Sequence, residues 1–198
     1  LKKQIRMIRL EAKKLNKSIS IMMDLGGPKI RVKLDRKTKN LSIKAHQKYT
    51  LGAAGCDINV GKKLKFKSIT KNARIKIDDG YLNFKILNTN QNILYLQALN
   101  DGEITSYKGV NFPGIDLNLP AVTLQDKQNI IHAIDLEVDW IAQSFVRSAS
   151  NILPVQRILS KHNFNIPIIA KIEKPEAINN LDAIIKKYDG VLIARGDL

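Results

Sequence analysis

The chain has 198 residues, 44% of them hydrophobic, with 33 Lys and Arg against 18 Asp and Glu and a formal net charge of +15. That is enough apolar material for a buried core in one domain or two small ones, and it argues against disorder. No run of about eighteen apolar residues is present, and the Lys/Arg-studded start lacks a small-residue cleavage site, so neither a membrane span nor a secretory signal is visible.

The lone cysteine, Cys56, can form no internal disulfide. The expected compartment is reducing: the cytoplasm, or an organelle lumen after removal of a transit peptide. The charge invites a nucleic-acid reading. However, the lysines recur in almost every segment with little aromatic interleaving and no dense Arg stripe, so they read as solvated faces that can attract small phosphorylated anions. The chain opens in what reads as mid-helix and stops directly after a strand, so a fragment of a longer protein is expected.

In chain order, Ile5, Ile8, Ala12 and Leu15 recur at helical spacing between charged neighbours and predict a one-faced helix over residues 1–17. The β-branched run Ile19–Met23 predicts a strand that ends at the loop Asp24-Leu25-Gly26-Gly27-Pro28. From about Lys33 to Ser106 the pattern changes to short alternating stretches, Leu41–Ile43, Ala73–Ile77, Leu82–Ile86 and Ile93–Leu99, separated by Gly, Asn and Asp clusters. This predicts an all-β insert, with Asp78-Asp79-Gly80 as a hairpin turn, because Asp and Gly tolerate positive φ.

Beyond Val110 helical periodicity returns. Thr123 and Asp126 have capping-box spacing before a helix that carries Ile130, Ile131 and Ile134. Strand Asp139–Phe145, helix 149–162 with Pro154 in its first turn, and strand Ile166–Ile172 follow. Pro175 opens helix 175–187, whose Ile178, Leu181 and Ile185 are expected to face inward, and strand Val191–Ala194 ends the series. Strands alternating with helices predict parallel α/β architecture with strands buried on both faces. Neither a GxGxxG fingerprint nor a P-loop is present, which favours a barrel over an open nucleotide-binding sheet.

Lys171 and Glu173 are two residues apart at the C-terminal end of one strand, so both side chains point the same way. Asp197, in Arg195-Gly196-Asp197-Leu198, ends the next strand. Ligands of parallel α/β proteins gather at that end, and two carboxylates there suit Mg²⁺ or Mn²⁺; a salt bridge from Lys171 to either acid is the alternative. His46, His132 and His162 lack ligand spacing and read as surface or helix-face histidines.

Ile169-Ala170-Lys171-Ile172-Glu173 followed by Gly190-Val191-Leu192-Ile193-Ala194-Arg195-Gly196-Asp197-Leu198 resembles the metal-site stretch of pyruvate kinases. Lys108-Gly109-Val110-Asn111-Phe112-Pro113-Gly114, with Leu119-Pro120-Ala121-Val122 and Asp126, resembles the segment that returns from that family's lid domain. Asp139–Phe145 with Val146, Arg147 and Ser150 is similar to its next strand and loop, and Asp24 to Arg31 to the loop entering the lid.

The resemblance implies barrel strands 3–6 of a (β/α)₈ TIM barrel with an inserted small all-β barrel domain. The expected boundaries are 1–32 and 108–198 for barrel segments and 33–107 for the lid. It implies Mg²⁺-dependent phosphoryl transfer from phosphoenolpyruvate to ADP, giving pyruvate and ATP in glycolysis, with a homo-oligomer at full length. By this correspondence Lys171 stabilises the phosphoryl group in flight, and Glu173 and Asp197 hold Mg²⁺ or Mn²⁺. Arg195 and Gly196 meet the substrate carboxylate, while Arg31, Lys108 and Asp78 or Asp79 face the nucleotide. Asp24 and Leu25 fall at the family's K⁺ site.

The usual family pattern has a Thr where this chain has Leu25 and an acidic residue where it has Lys29. The first change removes a hydroxyl ligand and the second adds a cation that can replace part of the monovalent charge, which points to a divergent branch. The alternatives are a metal-dependent lyase or aldolase acting on phosphoenolpyruvate or pyruvate, and a noncatalytic basic relative. The all-β insert argues against the former, and the joint presence of Lys171, Glu173 and Asp197 against the latter.

Overall fold

The computed structural model describes residues 1–35, 38–65, 69, 73–90, 92–115 and 117–195. The chain divides into two compact units, residues 1–28 with 120–198, and residues 29–119. Among the described residues no helix is long and apolar enough to cross a membrane.

The first unit is a parallel α/β assembly. Helix α1 (Lys2–Lys14) precedes strand β1 (Met22–Leu25), which joins β11 (Trp140–Gln143), β12 (Ile168–Ile172) and β13 (Gly190–Ile193) in a four-stranded sheet of that order. All its pairings are parallel. The connections are helices: α2 (Leu124–Asp135) before β11, a 3₁₀ turn (Ala149–Ile152) and α3 (Leu153–Lys161) before β12, then α4 (Pro175–Asn179) and α5 (Leu181–Lys187) before β13.

The Thr123 and Asp126 side chains close the expected capping box at α2. Pro154 falls at the start of α3, where its missing N–H costs no hydrogen bond. One sheet face, including Leu25, Ile141, Ile168, Ala170 and Ile172, packs with Ile130, Ala133, Val155, Leu159 and Ile184 of the helices into one apolar core.

Several expectations need correction. The first strand is Met22–Leu25 instead of Ile19–Met23. Asp139 draws the chain before it aside, because its carboxylate accepts the Ile21 N–H at 2.6 Å while the Ile21 carbonyl accepts the Asp139 and Trp140 N–H groups. Asp24 is therefore a strand residue. The helix expected over 175–187 is two helices meeting at Asn180. Ala177 and Ile184, seven residues apart and so on one helical face, are buried, and Leu181 packs beside them, while Ile178 and Ile185, one position further on, are exposed. On α1 only Ile5 is buried; Ile8 and Leu15 are exposed. Burial on both faces holds for neither β1 nor β13, where Met22, Val191 and Ile193 are exposed.

The second unit is all-β. Strands β2 (Ile30–Arg31), β10 (Gly109–Asn111), β6 (Arg74–Ile77), β7 (Leu82–Asn90), β8 (Ile93–Ala98), β4 (Lys48–Gly52) and β5 (Ile58–Asn59) form a seven-stranded sheet in that order. A two-stranded ladder of β3 (Asn40–Ile43) and β9 (Gly102–Thr105) completes it. Every pairing is antiparallel except β4 with β5. Asp78, Asp79 and Gly80 lie at φ of 56°, 51° and 92° between β6 and β7, the positive values the hairpin reading requires. The core is purely aliphatic and aromatic, with the Phe84 and Tyr49 rings edge to face at 6.1 Å.

Candidate active site

The sheet register of the first unit brings chemistry to one place. Asp24 is aligned with Ala142, and Ala142 with Ile169, so Asp24, Ile169 and the period-two continuations Ser144, Lys171 and Glu173 share the sheet face away from the helical core. All four polar residues sit at the C-terminal ends of β1, β11 and β12, where parallel α/β proteins gather their ligands.

Lys171 is the hub of these side chains. Its Nζ donates to Asp24 Oδ1 and Oδ2, each at 3.1 Å, and to Ser144 Oγ at 3.0 Å. It also forms an ion pair with Glu173 Oε1 at 3.0 Å. The Ser144 hydroxyl in turn donates to Asp24 Oδ1 at 3.3 Å. The Lys171 side chain is 15% exposed and that of Glu173 1%, whereas Asp24 is 58% open to solvent. Burial works against the Lys171 charge. The hydrogen bonds and negative charges of Glu173 and then Asp24 outweigh it, and the pKa is raised above a lysine's ordinary value. The residue is an ammonium at neutral pH, fixed in an oxygen cage.

Glu173 is held from its other side, where Oε2 accepts the Phe145 N–H at 2.8 Å. Phe145 lies at φ 57°, a conformation unusual for a bulky residue. Its ring lies 5.2 Å from the Lys174 ammonium and close to Gly27, where a Cβ would come within 2.7 Å of Phe145 Cδ2. Gly27, itself at φ 65°, is thus required on two counts.

The oxygens around Lys171 are carboxylate and hydroxyl, a hard donor set that suits a divalent cation such as Mg²⁺. Each carboxylate oxygen has two lone-pair directions, so Glu173 keeps capacity for a cation beside Lys171 and the Phe145 N–H. By donor chemistry the residues present fit the metal. Gly196 and Asp197, the other residues expected at this end of the sheet, lie outside the described residues; Arg195 is described and exposed just beyond β13. Among the described residues no group of three or more His, Cys, Asp and Glu is arranged to hold a metal. The Leu25 side chain is buried in the core on the helix face, pointing away from Asp24.

In the all-β unit the sequence-predicted nucleotide residues meet one another. Lys108 Nζ lies 2.9 Å from Asp78 Oδ1 and 2.8 Å from Oδ2, and the Asp78 N–H donates to the Gly109 carbonyl at 3.0 Å. Arg31 is the ladder partner of Gly109, with its guanidinium donating to the Tyr107 carbonyl at 2.9 Å. Asp79 is exposed in the same turn as Asp78. Lys29 lies over Gly109, its Cε within 3.0 Å of where a Cβ would be.

Sequence reasoning assigned no role to Ser144, although the alternation that pairs Lys171 with Glu173 also puts Ser144 on the same face as Ala142. It likewise had no means of finding the Phe145 N–H, because every non-proline residue carries a backbone donor and residue type does not say which one meets Glu173.

A four-stranded parallel α/β unit with a caged lysine and carboxylates at its strand ends, interrupted in sequence by an all-β unit, fits part of a (β/α)₈ barrel with an inserted domain. The family model "Pyruvate kinase, barrel domain" matches residues 1–198. The chain belongs to the pyruvate kinase family. It is 37% identical to pyruvate kinase 2 of Synechocystis sp. over 202 positions, covering 98% of this chain and 34% of the relative. It is 34% identical to the pyruvate kinase of Clostridium perfringens over 205 positions, covering 100% and 43%. Against pyruvate kinase 1 of Saccharomyces cerevisiae the identity is 34% over 190 positions, covering 91% and 38%. The crystal structure of a pyruvate kinase from Cryptosporidium parvum superposes with a TM-score of 0.85 at 30% identity, over 96% of this chain and 42% of that one. The chain therefore spans 34–43% of the length of these relatives.

Proposed function

We propose that the protein to which this chain belongs is a pyruvate kinase that transfers a phosphoryl group from phosphoenolpyruvate to ADP, yielding pyruvate and ATP. The observation that supports this reading best is the Lys171 ammonium, held within 3.0–3.1 Å of Asp24, Ser144 and Glu173 at adjacent strand ends. Phosphoryl transfer passes through a loose transition state with charge on its equatorial oxygens, so a pre-positioned cation accelerates it without covalent chemistry. Lys171 is this cation. Glu173 and Asp197 would hold Mg²⁺ or Mn²⁺, which when bound supplies Lewis-acid stabilisation of the substrate oxygens.

The backbone amides of Arg195 and Gly196 would orient the substrate carboxylate. Arg31, Lys108, Asp78 and Asp79 would address the nucleotide phosphates or their cation, with the all-β unit, residues 29–119, serving as the lid inserted in the sequence of the barrel unit. Leu25 offers no hydroxyl to a monovalent cation. In this reading Asp24 serves chiefly to hold Lys171, and K⁺ is dispensable. The enzyme would work in the cytoplasm as a homo-oligomer, with no role for nucleic acid.

The test is pyruvate release by the full-length protein with phosphoenolpyruvate and Mg²⁺, with and without ADP, in K⁺ and in Na⁺. ADP-dependent release that is equal in both salts is expected. Release without ADP would point instead to a lyase, and absence of release in either salt would overturn the assignment.

A further inference from the structure

We infer that Asp126 is a positioning residue of this site, clamping Gly27 so that Phe145 and Ser144 present their polar atoms to Glu173 and Lys171. This rests on the reading of Glu173 as a metal ligand. Asp126 is 2% exposed. Its Oδ2 accepts the Thr123 N–H at 2.8 Å and the Thr123 hydroxyl at 2.7 Å, the ordinary work of a helix cap. Its Oδ1 does something a cap does not need: it accepts the Gly27 N–H at 3.1 Å, from a segment 99 residues earlier in the chain.

Gly27 is where that contact has leverage. Its Cα is so close to the end of β11 that a Cβ would lie 2.7 Å from Phe145 Cδ2 and 3.2 Å from Ser144 Cβ and its carbonyl oxygen. These two residues complete the cage, Ser144 through its hydroxyl on Lys171 at 3.0 Å and Phe145 through its N–H on Glu173 Oε2 at 2.8 Å. The Asp126 carboxylate, the Gly27 backbone, the Phe145 and Ser144 pair and the Glu173 and Lys171 pair are therefore in continuous contact. Removal of the Asp126 anion lets the Gly27 turn relax, and the N–H that fixes Glu173 relaxes with it. Asp126 touches neither the ligand oxygens nor Lys171, so it acts only through this chain.

The test measures Mn²⁺ binding to the full-length protein by electron paramagnetic resonance, with thermal melts alongside. Outer-shell partners of metal ligands typically matter by 10–100-fold in affinity, so Asp126→Ala is expected to weaken Mn²⁺ binding about tenfold. Gly27→Ala is expected to weaken it too, and Gly27→Ala combined with Phe145→Val to bind better than Gly27→Ala alone, because the ring that the new Cβ meets is gone. Thr123→Ala loses the cap hydroxyl but leaves the Asp126 to Gly27 bond, so it lowers the melting temperature with Mn²⁺ affinity unchanged. If Asp126→Ala does not fold, the isosteric Asp126→Asn, whose amide turns a donor toward Gly27 or Thr123, provides the same readout. Wild-type Mn²⁺ affinity in the Asp126 variant, with a melting temperature lowered as in Thr123→Ala, would overturn the inference. Glu173→Gln separates the two layers: if it binds Mn²⁺ like the wild type, the metal-ligand reading itself fails; if it alone loses binding, only the role of Asp126 does.

Discussion

The two compact units place their polar residues in opposite ways. In residues 29–119 the buried side chains form an apolar cluster with no buried carboxylate, amide or aliphatic hydroxyl among those described. The buried polar and charged side chains described for this chain, Asp126, Gln143, Ser144 and Glu173, all belong to the other unit. Gln143 and Ser144 are consecutive and face opposite sides of the sheet. Gln143 meets the Tyr188 hydroxyl at 2.9 Å on the helix side, while Ser144 meets Lys171 at 3.0 Å on the other. Burying polar groups is costly unless each is paired, so their concentration at one end of one sheet marks where the fold has been shaped for chemistry. The all-β unit reads as a scaffold whose core serves stability alone.

This contrast can be broken by substitution. The largest stability effect is expected from Phe84→Ala, which empties the centre of the all-β core and should cost about 3–5 kcal/mol in a urea melt. A loss below about 1 kcal/mol would show that this core is not tightly packed.

Tyr188→Phe probes the polar side of the comparison. It leaves Gln143 Oε1 without the Tyr188 donor and should cost about 1–3 kcal/mol. Burial raises the Tyr188 pKa above its ordinary 10.0, so the folded state keeps a proton that the unfolded chain releases. Its contribution is whole below pH 10.0 and declines as pH rises beyond that value. Melts of the wild type above that pH should therefore fall more steeply than those of Tyr188→Phe, and parallel curves would contradict the assignment.

The smallest stability effect is expected at Lys108→Met. The Lys108 and Asp78 side chains are 40% and 29% exposed, and such partly solvated pairs contribute about 0–1 kcal/mol. If the nucleotide role proposed for Lys108 holds, KM for ADP rises in this variant while the melt is nearly unchanged. A large melt shift with unaltered KM would make the pair structural.

Much of this was legible in the sequence because it is local. The capping box at Thr123 and Asp126, the Asp78-Asp79-Gly80 hairpin and the placement of Lys171 and Glu173 on one face follow from spacing alone. What spacing cannot carry is contact between distant segments. The bond from Gly27 to Asp126 and the cage joining Asp24 to Lys171 span 99 and 147 residues. The inward reading of Ile178 and Ile185 failed for a related reason. Spacing gives the helical period but not which of two adjacent faces meets the sheet: Ala177, Leu181 and Ile184 take the inward face, and Ile178 and Ile185, one position on, do not. The strand carrying Asp24 was misplaced because the carboxylate of Asp139, far along the chain, competes for the Ile21 backbone.

The most direct test of the central claim, that the caged ammonium of Lys171 serves the transition state, is steady-state kinetics of Lys171→Met in the full-length enzyme. Loss of a charge used chiefly in the transition state should lower kcat about 10²–10³-fold with KM for phosphoenolpyruvate little changed. A rise in KM with kcat intact would contradict the account and reduce Lys171 to a docking residue.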